Sequence, residues 1–146
     1  MTNKQPDNDF QQKYMQYNVC KQQAQGLMKE ISVLNQTAQS LSTAKEVLLT
    51  VDAAKDKSEV LIPVGGNTFL KAKMDDTNNV LMGVGSDVVL KKSVSDARSS
   101  IDEQLANLNS AGDKLAGEMK ALEDKMKVLE PELQKRMMEM QKEQKK

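Results

Sequence analysis

The sequence predicts a mainly α-helical chain with a small β section: a long antiparallel two-helix coiled coil whose helices are joined by two β-hairpins. Three observations carry this reading. Apolar residues recur in alternating steps of three and four over Phe10–Val51 and again from about Ser95, which is the period of a narrow coiled-coil seam. Between those stretches, residues 60–92 change to short β-branched runs separated by turn formers, the pattern of consecutive hairpins. Aromatic residues make up only 3% of the 146 residues, too few for an ordinary globular core.

The first helix is expected over 10–51, after a polar, flexible stretch at 1–9. Its a and d seats are Phe10, Lys13, Tyr17, Cys20, Ala24, Leu27, Ile31, Leu34, Ala38, Leu41, Lys45 and Leu48. All but the two lysines are apolar. Most other seats are polar, with glutamines at 11, 12, 16, 22, 23, 25, 36 and 39 keeping the helix soluble without many charges. Residues 52–59 are charged and poor in large apolar groups and read as a linker.

Four strands follow within 60–92: Val60–Val64, Thr68–Met74, Val80–Val84 and Val88–Lys92. They are broken at Gly65-Gly66-Asn67, Asp75–Asn79 and Gly85-Ser86-Asp87. Alternation places Leu70, Ala72 and Met74 on one face of the second strand and Lys71 and Lys73 on the other. Pro63 has no N–H to give a ladder, so its nitrogen should face away from the paired strand.

The second helix is expected over 95–141, with Ser93 or Ser95 as N-cap and Asp96 in the first turn. Its seats are Val94, Arg98, Ile101, Leu105, Leu108, Gly112, Leu115, Met119, Leu122, Met126, Leu129, Leu133, Arg136 and Met140. Glu123–Lys127 and Glu132–Arg136 stand at i,i+4 in the favourable order. Pro131 removes the bond to the Lys127 carbonyl and predicts a kink, but the seam resumes at Leu133, so a bend rather than a stop is expected. Residues 142–146 read as a frayed tail.

Helices of this length, joined by hairpins that turn the chain back, should pair antiparallel. Residues near 48 then lie opposite those near 100, and Phe10–Cys20 opposite about 126–138. Four short strands with one apolar face cannot cover that face or their own edges. The chain should therefore be an oligomer subunit.

Composition removes several function classes. There is no His, the commonest general base and zinc ligand. One Cys allows no internal disulfide and no Cys-rich metal site. With 21 basic and 21 acidic side chains there is no positive excess to neutralise phosphates, and no apolar run approaches the ~18 residues of a membrane span. The expectation is a soluble cytoplasmic protein that is not an enzyme, with no cofactor and no nucleic-acid or membrane partner.

The middle of the chain resembles a known family. Ile62-Pro63-Val64-Gly65-Gly66, Phe69-Leu70-Lys71-Ala72-Lys73, Val80-Leu81-Met82-Gly83-Val84-Gly85 and Val88-Val89-Leu90-Lys91-Lys92-Ser93-Val94 are similar to the alpha-class subunit of archaeal-type prefoldin, as is the order helix, two hairpins, helix. The turn Gly85-Ser86-Asp87 departs from the small, glycine-flanked turn common there. The resemblance implies a hexamer of two alpha-type and four beta-type subunits, with hairpins closing a double β-barrel platform from which the coiled coils hang. It also implies ATP-independent capture of non-native polypeptides at the coiled-coil ends and their delivery to a group II chaperonin. The alternative, from another class, is a structural prefoldin-like subunit forming filaments or a homo-oligomeric coiled-coil scaffold.

At the free end of the helices, Phe10, Tyr14, Met15 and Tyr17 face Met126, Val128, Met137, Met138 and Met140 in the antiparallel register. Those nine are the candidate client contacts, since flexible, polarisable Met suits irregular apolar partners. Phe10, Tyr17, Met126 and Met140 hold seam seats, so packing and client contact both remain open for them. Tyr14, Met15, Val128 and Met138 lie outside the seam and should be exposed. The candidate assembly surface is Val60, Ile62, Val64, Leu70, Ala72, Met74, Val80, Met82, Val84, Val88 and Leu90.

Other features read as structural. Gly83-Val84-Gly85 lacks the third glycine and the following helix of a nucleotide loop. Asp75-Asp76 fits turn chemistry, and Cys20 fits a small core residue. Lys13, Lys45, Arg98 and Arg136 interrupt the seam and should snorkel or set register. Lys142, Lys145 and Lys146 form a basic tail for which contact with an acidic chaperonin surface is the sharper reading and solvation the plain one.

Overall fold

The computed structural model describes residues 5–54 and 57–144. Its elements are α1 (Gln5–Ala53), β1 (Glu59–Gly65), β2 (Thr68–Lys73), β3 (Asn79–Gly85), β4 (Val88–Ser93) and α2 (Val94–Gln144). The chain divides into two compact units. One, called the arm unit below, combines residues up to Asn35 with those from Asn109 onward; the other, the hairpin unit, is Gln36–Leu108.

The helices are longer than the sequence pattern suggests. α1 starts at Gln5, because Pro6 falls in the first turn, where a missing N–H breaks no helical bond. Gln5–Asp9 are therefore helical, while residues 1–4 lie outside the described set. At its far end α1 takes in Asp52 and Ala53, and the Ala54 N–H still reaches the Val51 carbonyl at 3.1 Å. The expected linker is further shortened from the other side: Lys57 N–H bonds the Met74 carbonyl (2.8 Å) and Met74 N–H the Ser58 carbonyl (3.0 Å), stitching both residues to the first hairpin, and Glu59 already belongs to β1. Residues 55–56 lie outside the described set.

Ser93 caps α2, its hydroxyl oxygen accepting the Asp96 N–H at 3.0 Å. The helix is continuous through Pro131 and runs to Gln144. Lys142 therefore stands in its last turn and not in a frayed tail, close to the negative end of the helix dipole; Lys145 and Lys146 lie outside the described residues.

Every seam seat assigned from the sequence is buried or half-buried, and most other helix positions are exposed. In the arm unit the buried residues are Cys20, Ala24 and Leu133. Leu34 Cδ2 comes within 3.6 Å of where a Cβ on Gly112 would stand, and Lys13 reaches Glu132 at 2.8 Å. In the hairpin unit Lys45 pairs with Asp102 and Arg98 with Asp52 at 3.4 Å. Within each unit the helices thus run antiparallel in the expected register. The core is thin because a two-helix pair shelters one side of each knob only. It is densest at the start of α2, where Val94, Ala97 and Ile101 are each less than 5% exposed.

The hairpins form two separate two-stranded sheets, β1–β2 and β3–β4, and they are near copies twenty residues apart. Val60↔Ala72, Ile62↔Leu70, Pro63↔Phe69 and Gly65↔Thr68 recur as Val80↔Lys92, Met82↔Leu90, Gly83↔Val89 and Gly85↔Val88, each with its bulge just before the turn. The turns match as well. Gly65, Gly66 and Asn67 have φ of 100°, 56° and 58°, against 103°, 49° and 59° for Gly85, Ser86 and Asp87. Two successive left-handed residues are the type I′ requirement, so the departure at Ser86-Asp87 leaves the turn geometry intact.

Candidate functional site

Two apolar surfaces stand out, one in each unit. In the arm unit Tyr14, Met15, Val128, Met137 and Met138 are exposed, with Met15 (66%) and Val128 (65%) the most open. Phe10, Tyr17, Met126 and Met140 are half-buried in the seam. Phe10 and Tyr14 stack with ring centroids 6.2 Å apart, as i,i+4 neighbours on a helix do, so the seam residue supports the exposed one.

The structure divides the exposed set. Met15 and Val128 line one groove of about 980 Å³, with Cys20 and Leu129 beneath and Gln12, Gln16 and Gln23 along its border. Val19, half exposed, shares that wall and escaped the sequence reading; its c seat, one turn from Met15, was the available signal. Tyr14, Met137 and Met138 do not line this groove. The heptad register puts Tyr14 and Met137 on the opposite flank of the seam.

Nearer the helix ends, a smaller cleft of about 240 Å³ is bordered by Asp9, Phe10, Lys13, Glu132, Leu133, Arg136 and Glu139. Lys13 Nζ lies 2.8 Å from Glu132 and 3.0 Å from Asp9. Its hydrogen bonds to Glu132 and then Asp9 raise the ammonium pKa above the ordinary lysine value. Glu132 is thereby committed across the seam, and the expected Glu132–Arg136 pair gives way to Arg136–Glu139 at 3.2 Å. All four basic residues that interrupt the seam are paired with an acid, three of them on the other helix. The three cross-helix pairs tie the helices together through charge, whereas Arg136 is held within α2.

In the hairpin unit the alternation of the strands gathers the expected apolar residues on one face, though not all of them are exposed. Val60 and Ala72 share it, as do Ile62 and Leu70, and Met82 and Leu90. Ile62, Val64, Leu70, Val84, Val88 and Leu90 are exposed, while Val60, Ala72, Met74, Val80 and Met82 are half-buried. Val80 lies opposite Lys92, so the face is less uniformly apolar in the second hairpin. The expectation of a single apolar face is corrected by the other side. Leu61 and Phe69, with Leu81 and Val89 as their counterparts, are each more than half exposed beside Lys71 and Lys91. Strict alternation concealed them because the lysines dominate that face in sequence.

Backbone alternation also places the free edges. Since the Met74 N–H bonds the Ser58 carbonyl, Val60 and Ile62 turn their polar groups inward and Glu59, Leu61 and Pro63 turn theirs outward. The missing Pro63 N–H falls on the free edge of β1, as expected.

Between the hairpins Asp76 Oδ1 accepts the N–H groups of Asn78 (2.9 Å) and Asn79 (3.1 Å), and Oδ2 accepts Asn79 Nδ2 at 3.0 Å. Lys91 Nζ stands 3.4 Å away. The Asn79 side-chain bond, followed by the Asn78 N–H, lowers the Asp76 pKa to about 2. Asp76 is thus the clasp of this turn. Among the described residues no group of three His, Cys, Asp or Glu is placed to hold a metal ion, and no helix is long and apolar enough to cross a membrane.

Comparison with known proteins points one way. The family profile described as "Prefoldin subunit" matches residues 20–139. Prefoldin subunit alpha of Methanococcus aeolicus is 32% identical over 138 residues, covering 87% of this chain and 94% of the relative. Prefoldin subunit alpha 1 of Methanocaldococcus jannaschii is 33% identical over 131 residues, covering 87% and 89%. Among solved structures, a filamentous PFD from Methanocaldococcus jannaschii aligns with TM-score 0.69 at 22% identity, over 82% of this chain and 98% of that one. The prefoldin beta subunit from Thermococcus strain KS-1 aligns with TM-score 0.55 at 20% identity, over 92% and 96%. The last two are likenesses of fold.

Proposed function

The chain belongs to the prefoldin family, and from that footing we propose that it is the alpha-type subunit of a cytoplasmic chaperone that holds non-native polypeptides without ATP. The observation that carries the reading is the concentration of exposed Tyr14, Met15, Val128, Met137 and Met138 at the helix-end part of the arm unit, where nothing among the described residues covers them. Each contact is weak, but several arms around one client multiply them through effective concentration. Thioethers and a stacked aromatic pair adapt to varied apolar segments. Phe10, Tyr17, Met126 and Met140 lie beneath as seam packing and become available where the helix ends open.

In this proposal the hairpin faces, including Leu61, Phe69, Leu81 and Val89, are covered by the hairpins of beta-type partners in a hexamer of two alpha and four beta chains. Four strands from each alpha chain and two from each beta chain close into barrels and remove the free edges. Clients pass from the arms to a group II chaperonin. The work is capture, with no bond made or broken, so no catalytic residue is assigned.

The test replaces Tyr14, Met15, Met137 and Met138 together by Ser. Suppression of client aggregation should be lost while the assembled mass, measured with a beta-type partner, is unchanged; retained suppression rejects the reading. A defined hexamer forming only on mixing supports the hexamer, whereas long polymers of this chain alone favour a filament or scaffold.

A further inference from the structure

The groove bordered by Met15 and Val128 does not end with them. Gln23 borders it and also a second groove of about 510 Å³, which continues along Gly26, Leu27 and Glu30 of α1 and Glu118, Ala121 and Leu122 of α2. Both lie on one flank of the seam, at the c and g seats of each helix. From Gln12 to Glu30 this flank extends about 27 Å at 1.5 Å per residue. One turn short of the Glu30 end, Gly26 on α1 and Ala121 on α2 leave its floor low, and nothing stands within 4 Å of where a Cβ on Gly26 would be.

We propose that this flank is a seat for a third helix: an amphipathic helical segment of a non-native chain, lying along the pair with a basic residue over Glu30 and Glu118. The inference rests on the chaperone reading above and names the form in which that part of a client is held. The walls are two α-helices whose backbone N–H and C=O groups are already bonded to one another. An extended client would find no backbone partners here and would leave its own polar groups unpaired against an apolar floor. A helix brings its backbone bonds with it and offers only an apolar stripe, which a groove between two helices accepts. The low floor at Gly26 and Ala121 lets a helix approach closely. Charge sets its direction. Glu30 and Glu118 lie in the same groove with no ion pair among the described residues, so they favour a Lys or Arg, or the positive N-terminal end of a helix. At the other end Asp124 and Lys125 offset each other.

The experiment uses the full-length chain and a labelled 18-residue peptide with Leu and Ala at i, i+3, i+4 and i+7 and two Lys in its first turn. Fluorescence anisotropy reads binding, and circular dichroism reads helix gained by the peptide. The peptide should bind and become helical. A central Pro in the peptide should weaken binding at least tenfold, and Lys→Glu in its first turn severalfold. Gly26→Leu, which has open space for its side chain, should weaken binding at least tenfold while its melting temperature stays at or above that of the parent; Ala121→Leu gives the same reading from α2. Absence of binding, equal binding of the Pro peptide, or full binding by both groove-filled variants overturns the proposal. Aggregation suppression by the assembled complex keeps the two readings apart: if it persists while the helical peptide does not bind, the third-helix seat falls and the chaperone function stands.

Discussion

Lys13 of α1 places its ammonium 2.8 Å from the Glu132 carboxylate of α2, so a residue that breaks the apolar seam also ties the two helices in register. Because Asp9 holds the same ammonium, the charge is shared along α1 and across to α2.

Replacing Lys13 by Leu should raise the melting temperature, because an apolar knob fills a half-buried seat and the released Glu132 is half exposed and well hydrated. Register specificity should fall. The raised Lys13 pKa fixes the sign for pH: the pair's contribution is complete below the ordinary lysine value of 10.5 and is lost as pH rises through the higher folded value. Thermal melts of parent and variant between pH 9 and pH 12 check both; the variant's advantage should widen towards the alkaline end, where the parent loses its ion pair.

Asp76 should titrate near pH 2. A carboxyl held below its unfolded value stabilises above that value, 3.8, and the contribution fades as pH falls towards 2. Carbon-detected carboxyl titration should find this midpoint. Asp76→Asn should flatten acid-side stability in that window.

Ser86 holds φ of 49° with a Cβ, in the turn position that Gly66 occupies in the first hairpin. Ser86→Gly should stabilise the second hairpin by about 1 kcal/mol, since a left-handed L-residue carries a penalty of roughly that size. The urea midpoint should rise with unchanged slope.

Pro131 lies inside α2 and denies the Lys127 carbonyl its donor. Pro131→Ala should add about 2–3 kcal/mol of helix stability, seen as a higher denaturation midpoint.

The helix pair and both hairpins were legible in the sequence because each depends on short-range period and turn chemistry. The seam needs only a repeat of seven, and the turns need only Gly, Asn, Ser and Asp in the left-handed region. Helix ends were less legible. Pro6 reads as a breaker until it is placed in a first turn, and Lys57 and Ser58 look like linker until their bonds to Met74 are seen. Exposure of Tyr14, Met15, Val128 and Met138 followed from seats outside a narrow seam. What the repeat did not reveal was the groove, because Val19, Gly26 and Ala121 are unremarkable singly and acquire meaning only when the antiparallel register brings the two c/g flanks together. Glu132 misled for the same reason: its neighbour along α2 was visible, its neighbour on α1 was not.

The twin hairpins carry a hazard during maturation. β4 offers β1 a strand of the same register as β2, with Leu90 and Lys91 repeating Leu70 and Lys71, so a newly made chain holds two rival answers to one pairing problem. A two-residue turn settles the contest against a detour of more than twenty residues, worth about 2 kcal/mol of closure entropy. Gly65 and Gly66 take left-handed φ without a Cβ penalty, so an L side chain at either would strain the first turn and narrow its lead over the wrong twin.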